Sequence, residues 1–217
     1  MLKAISFSLW GNSPKYTIGA IRNAEIALEI YPDWECHYYI ASDTNWEIKE
    51  QLLALPNTVL HLKNRPGDWT GMFWRFATSY HPDIDISIFR DTDSRLNYRE
   101  KAAVDEWLES DKTFHIMRDH PYHGYPILGG MWGYKKSEKY SMGSLLTTFG
   151  PQDKYGTDYE FFAKVLYPLV GDDKLVHDPF FEGKPFPTAR LNREFVGDVF
   201  DELDQRHPEY YTKIIEE

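Results

Sequence analysis

The chain has a single cysteine, Cys36, among its 217 residues. An intrachain disulfide is therefore excluded, and a reducing compartment suits the protein. Cys36 itself reads as a small buried strand residue. No stretch approaches the roughly 18 apolar residues of a membrane span. The first residues lack the charged head and long apolar run of a secretory signal, so the expected location is the cytosol. Dense runs of Lys or Arg are also missing: 24 basic residues face 34 acidic ones, for a formal net charge of −10. That balance suits neither nucleic acid, whose phosphates need a basic face, nor an anionic membrane surface. It does leave room for an anionic small ligand, because a bound metal or a local cluster of cations inverts the field of one site. Internal repeats and low-complexity linkers are absent as well. The length is enough for one substantial core and short for two full domains.

Aromatic residues, in contrast, are plentiful: 7 Trp, 15 Tyr and 13 Phe. Most are assigned to the core, where their area is worth most, although aromatic faces also stack on sugar rings. The hydrophobic pattern alternates between period 2 and period 3.6. Strands are expected at 3–9, 35–41, 57–62, 84–89, 113–117, 127–134 and 174–177. Helices are expected at 13–31, with Ser13 as N-cap and Pro14 at the first position, and at 44–55, 69–80, 98–110, 137–149 and 157–167. A loop-rich stretch, 178–196, precedes a polar helix at about 198–204 and beyond. This order predicts a single α/β domain over 1–217, with a central, mostly parallel sheet flanked by helices. The part from roughly 135 onward is expected on the acceptor side of any site. Ligands of such sheets collect at the carboxyl ends of the strands.

One such end carries Asp91-Thr92-Asp93. Two carboxylates two residues apart in a turn can aim their oxygens at one volume, which suits Mg²⁺ or Mn²⁺ with phosphate oxygens completing the shell. A plain polar turn would look the same. Arg75, inside an aromatic cluster, needs a partner; Asp91 or a diphosphate would serve, as would solvent. Gly129 and Gly130, in the run LGGMWG, mark either a tight bulge or close approach of a ligand. Asp158 follows Gly156-Thr157 at a helix start, where a carboxylate either favours the helix dipole or acts as a base. His177 ends a strand, and Lys184 lies in a Gly-Lys-Pro-Phe turn. His120 and His123 form a further polar cluster.

Together these residues resemble the plan of the GT-A glycosyltransferases. Residues 72–93 (MFWRFATSYHPDIDISIFRDTD) are similar to the segment in which a helix carrying an Arg leads into a strand ending in Asp-x-Asp. The stretches FSLWGNSPKY, RDTDSR and ILGGMWGY resemble small bacterial and viral glycosyltransferases, which stand alone or as one domain of a longer enzyme. His177 with residues 183–186 resembles the His…Gly…Lys-Pro-aromatic pattern of glycogenin-like transferases. The resemblance implies metal ligands Asp91, Asp93 and His177 for Mn²⁺ or Mg²⁺. It implies donor contacts from Arg75, Asp91, Thr92, Gly129, Gly130 and Lys184, and a catalytic Asp158. The implied reaction moves a sugar from a nucleoside diphosphate sugar, a UDP-sugar in the first instance, to a sugar or glycan hydroxyl. Inversion with Asp158 as base is the favoured outcome, in the cytosol of a bacterium or a virus-infected host. Segment 178–193 is expected to be a flexible acceptor loop. Two other readings remain open: a haloacid-dehalogenase-like phosphatase using Asp91 and Asp93, and a non-catalytic carbohydrate-binding domain.

Overall fold

Strands flanked by helices on both faces are buried on both faces, and the runs 2–9, 35–40 and 84–89, which become central strands, are largely buried. The computed structural model describes residues 1–214; the last three residues of the expected 1–217 domain lie outside the described residues. Among the described residues the strands are β1 (Leu2–Leu9), β2 (Glu35–Ile40), β3 (Thr58–Leu62), β4 (Ile84–Phe89), β5 (Phe114–Met117), β6 (Trp132–Lys135) and β7 (Lys174–His177). They form one sheet in the order β3-β2-β1-β4-β6-β5-β7. β1 runs parallel to β2 and β4, β2 to β3, and β5 to β7. Only β6 is reversed, antiparallel to both neighbours.

The helices are α1 (Pro14–Ile30), α2 (Trp46–Leu53), α3 (Tyr98–Glu109), α4 (Met142–Phe149), α5 (Thr157–Phe161), α6 (Tyr167–Val170) and α7 (Pro208–Tyr211). One core lies under α1 and α3, with Phe7, Tyr38, Ile88 and Trp107 in it. A second, richer in aromatics, gathers Phe76, Phe89, Phe114, Trp132, Phe161 and Phe162. Burial in the first of these cores, on β2, also makes Cys36 inert, pushing its thiol up to about 12.

Four expectations change. Trp69–Tyr80 winds as a 3₁₀ helix, three residues per turn, so residues three apart eclipse. One row, Phe73 and Phe76, enters the core; the next, Trp69, Met72 and Arg75, faces a cleft. The strand expected at 127–134 begins only at Trp132, because Met131 N–H turns back to the Leu128 carbonyl at 3.0 Å. The helix expected at 157–167 is interrupted by a π-helical turn at Phe162–Leu166, just before Pro168 removes a backbone donor. No helix forms at 198–204: Asp201 draws the N–H groups of Leu203 and Gln205 onto its carboxylate at 2.9 Å, and Val199 and Phe200 make bridges to Ser94 and Arg206.

Asn23 of α1 fastens that helix to the loop after β4. Its Nδ2 donates to the carbonyls of Gly19 (2.9 Å) and Ser94 (2.8 Å), and its Oδ1 accepts from Leu96 N–H at 3.0 Å. The close approach requires Gly19, where a Cβ would overlap the Thr92 carbonyl. Asn23→Ala strands these buried groups and is expected to cost about 1–3 kcal/mol in urea denaturation. A loss below about 0.5 kcal/mol, the range of ordinary surface changes, would mean the loop is held elsewhere.

Candidate active site

β4 delivers the Asp-x-Asp turn to the carboxyl end of the sheet, and Arg90 fixes where it starts. The Arg90 guanidinium points inward, 2.7 Å from Glu100 of α3, with both side chains buried. Its NH1 also donates to the carbonyls of Phe89 (2.7 Å) and Trp132 (3.2 Å). The next residue, Asp91, must then face outward, and its side chain is 50% exposed. Asp93 is 19% exposed and lies 2.8 Å from Lys15. Both carboxylates line a cleft of about 520 Å³, together with residues 8–13 at and after the end of β1, Tyr16, and Trp69, Met72 and Arg75 of the 3₁₀ helix. Thr92 lines the same cleft; its carbonyl accepts from Arg95 at 3.3 Å.

Arg75 is the fixed point of the site. It is buried, and its NH1 donates to the Arg90 carbonyl at 3.0 Å and to Asp91 Oδ1. Its backbone N–H donates to Ser8 Oγ at 3.0 Å, and its carbonyl accepts from Ser6 Oγ at 2.6 Å. The two glycines of the turn before β6 complete the cluster. A Cβ on Gly130 would overlap the Asp91 carboxylate, and one on Gly129 would overlap both Asp158 Oδ2 and the Arg75 guanidinium. Three charged side chains from distant segments thus converge over two residues that have no side chain.

Asp158 is placed by α5. Gly156 precedes the helix with φ +78°, a conformation that glycine adopts at little cost. Asp158 is 3% exposed. Burial raises its pKa, the Arg75 charge pulls it down, and Asp91 raises it further. Asp93 is raised too, by burial first and then by Asp91, against the pull of Lys15. A second compartment of about 390 Å³ opens on the Asp158 side, lined by Tyr122, His123, Tyr125, Gly129, Met131 and Tyr159 among others. Met72, Arg75, Asp91 and Tyr155 line both compartments.

No protein-family profile matches the chain, and no curated protein matches it. Solved structures do match in three dimensions. A glycosyltransferase involved in glycosylation of the major capsid of PBCV-1 superposes with TM-score 0.55 at 15% identity, covering 82% of each chain. A mannosyltransferase from Pyrobaculum calidifontis, solved with GDP-Man and Mn²⁺, gives 0.52 at 14% identity over 84% of this chain and 58% of its own length. The chain has a GT-A-type fold. A 4-diphosphocytidyl-2C-methyl-D-erythritol synthase from Anaerococcus prevotii is also similar, with TM-score 0.53 and 11% identity over 82% of this chain and 86% of that one. Such likeness establishes the architecture, and the chemistry must be argued from the residues.

Within this GT-A-type fold, Arg75, Asp91, Thr92, Asp93, Gly129, Gly130 and Asp158 come together as one cluster. His177 and Lys184 do not join it. The His177 ring is buried beside Phe186, with Nδ1 2.8 Å from His115 Nε2 and Nε2 3.4 Å from Glu106. Both nitrogens are thus engaged away from Asp91 and Asp93, and the structure does not bring His177 to the carboxylate pair. Lys184 pairs with Glu182 at 2.7 Å, and its backbone bridges to Asp178, so the structure does not bring it into the cleft with Asp91 and Asp93. Segment 178–193 is anchored: Arg190 meets the buried Asp119 at 2.7 Å, and Arg99 holds the Thr188 carbonyl and Asp119. His123 lines the second compartment, and burial pushes it down to about 3, so it is neutral there.

Among the described residues, no group of three or more His, Cys, Asp or Glu side chains could hold a metal by itself. The carboxylate pair nevertheless fits a hard cation that takes its other oxygens from phosphate and water, as Mg²⁺ commonly does. Lys15, Tyr16, Tyr155 and Tyr159 were not singled out by pattern. Lys15 had a signal: a cation in the first turn of a helix opposes the macrodipole and calls for a reason.

Proposed function

We propose that the chain is a metal-dependent glycosyltransferase that moves a sugar from a nucleoside diphosphate sugar to a hydroxyl of a carbohydrate acceptor. The convergence of Asp91, Arg75 and Asp158 over Gly129-Gly130, where two compartments meet, carries this reading. The larger compartment takes the nucleotide and diphosphate, and the smaller takes the acceptor. Asp91 and Asp93 would hold Mn²⁺ or Mg²⁺, whose charge stabilises the diphosphate as the C1–O bond breaks. Arg75 keeps Asp91 aimed, and Gly129 and Gly130 let the transferring sugar lie against the backbone.

Asp158 is assigned to accept the acceptor hydroxyl's proton as its oxygen bonds to C1 on the opposite face, which inverts the sugar. Its raised pKa makes it a stronger base than an ordinary carboxylate. Aromatic faces at the mouth support a sugar acceptor: Tyr155 is 71% exposed and meets Trp69 edge-on at 5.2 Å, and Tyr125 stacks on Tyr159 at 4.2 Å. No described helix is long and apolar enough to cross a membrane, and the lone cysteine supports a cytosolic setting. The phosphatase alternative needs Asp91 free to attack phosphorus, whereas Arg75 holds its Oδ1.

Calorimetry with UDP, GDP and dTDP, each with Mn²⁺ and with EDTA, tests the reading. One nucleotide is expected to bind only with Mn²⁺, and Asp93→Ala is expected to weaken it at least about 10-fold, the loss of one charge-assisted contact. Release of pyrophosphate from a nucleoside triphosphate would favour nucleotidyl transfer instead. Silence with every nucleotide would sink the proposal.

A further inference from the structure

Each carboxylate of the Asp91-Thr92-Asp93 turn already carries a cation, and the two cations are held differently. Arg75, on Asp91, is buried and tied to the Arg90 carbonyl and to Ser8. Lys15, on Asp93, is held more loosely: among the described residues its ion pair places Nζ 2.8 Å from Oδ2, and its side chain is 29% exposed. Beyond that ion pair it has the face of Tyr16, 5.2 Å from the ring centroid. The placement is unfavourable for the helix itself. The first turn of α1 has no acidic residue, and Lys15 adds positive charge at the positive end of the macrodipole.

We propose that Lys15 is an exchangeable counter-ion. It neutralises Asp93 in the absence of donor, and it passes to the donor diphosphate when a divalent cation takes Asp93. This inference rests on the reading of the cleft as a nucleotide-sugar site. An ammonium and a dication on one carboxylate repel each other, so arrival of the second displaces the first. Lysine suits the exchange better than arginine, since it is a point charge on a flexible four-carbon stem. Its new partner lies within the same cleft, where the N–H groups at the start of the 17-residue α1 also favour an anion. Metal and nucleotide must then strengthen each other's binding by one common factor, and part of that factor passes through Lys15.

The test compares the parent with Lys15→Met and Lys15→Arg. Mn²⁺ binding to nucleotide-free protein is followed by the electron paramagnetic resonance of free Mn²⁺, and UDP and GDP binding by calorimetry with and without Mn²⁺. Lys15→Met is expected to bind Mn²⁺ alone about 3- to 10-fold more tightly, having lost the competing charge. The same variant is expected to bind nucleotide in Mn²⁺ about 10-fold more weakly. Lys15→Arg grips Asp93 more firmly and is expected to bind Mn²⁺ alone more weakly than the parent. Unchanged or weakened Mn²⁺ binding in Lys15→Met overturns the exchange, even where nucleotide binding survives in every protein. Failure of the parent to bind either nucleotide with Mn²⁺ overturns the cleft assignment along with it.

Discussion

Asp158→Asn is expected to lower kcat for sugar transfer by about 10²–10⁴-fold, the range for removing a general base. Metal-dependent nucleotide binding should stay near the parent value, because Asp158 lies on the side of the second compartment. The variant should also keep its melting temperature at neutral pH. A carboxyl whose pKa is raised by burial destabilises the fold as it ionises, the loss growing as pH rises from its unfolded pKa through its folded pKa. Removing that ionisation therefore relieves the fold. The pH profile gives an independent readout. A base must be deprotonated to act, so kcat should fall as pH drops through the raised pKa, above the usual carboxylate range. That acid limb should disappear in the residual activity of Asp158→Asn. An unchanged kcat, or loss of nucleotide binding in parallel, would remove Asp158 from the chemistry.

Gly130→Ala is the second change with a large expected effect. Its Cβ would overlap the Asp91 carboxylate and come within 2.9 Å of the Asp91 backbone nitrogen. The side chain cannot simply swing away, because Arg75 holds Oδ1. Asp91 must move, and a displacement of about 1 Å at reacting groups costs on the order of 100-fold in rate. We expect a loss of that size in kcat/KM, with weakened Mn²⁺-dependent nucleotide binding and a circular dichroism spectrum like the parent's. Gly124→Ala is the matched control, since the nearest atom to its added Cβ is Phe181 Cζ at 4.0 Å. Equal losses in the two variants would mean the effect is not local to Asp91.

The residues that sequence pattern placed well are those whose role is local. Asp91 and Asp93 follow an apolar strand directly, and their position at a strand's carboxyl end follows from the chain order alone. The alternation of strands and helices likewise gave the α/β architecture. What the pattern missed depends on contacts between distant segments. β6 reverses direction because 128–131 is a turn, and no periodicity distinguishes a strand approached from one side from one approached from the other. The 3₁₀ winding of Trp69–Tyr80 has the same apolar spacing as an α-helix, so the alignment of Trp69, Met72 and Arg75 was hidden. His177 and Lys184 entered by resemblance of a short motif. Their true partners, His115, Glu106 and Glu182, include two that lie far away in sequence. The pattern around Lys15 does not reveal its partner, Asp93, which lies 78 positions later in the chain.

Among the described residues, the two compartments share Met72, Arg75, Asp91 and Tyr155. Everything else in their walls is separate: the first draws on the loop after β1, and the second on 122–131 and the start of α5. The outer wall of the second compartment can therefore be recast without disturbing the first. On the proposed function, Tyr122 and Tyr125 are the positions to vary when seeking new acceptors for the same donor.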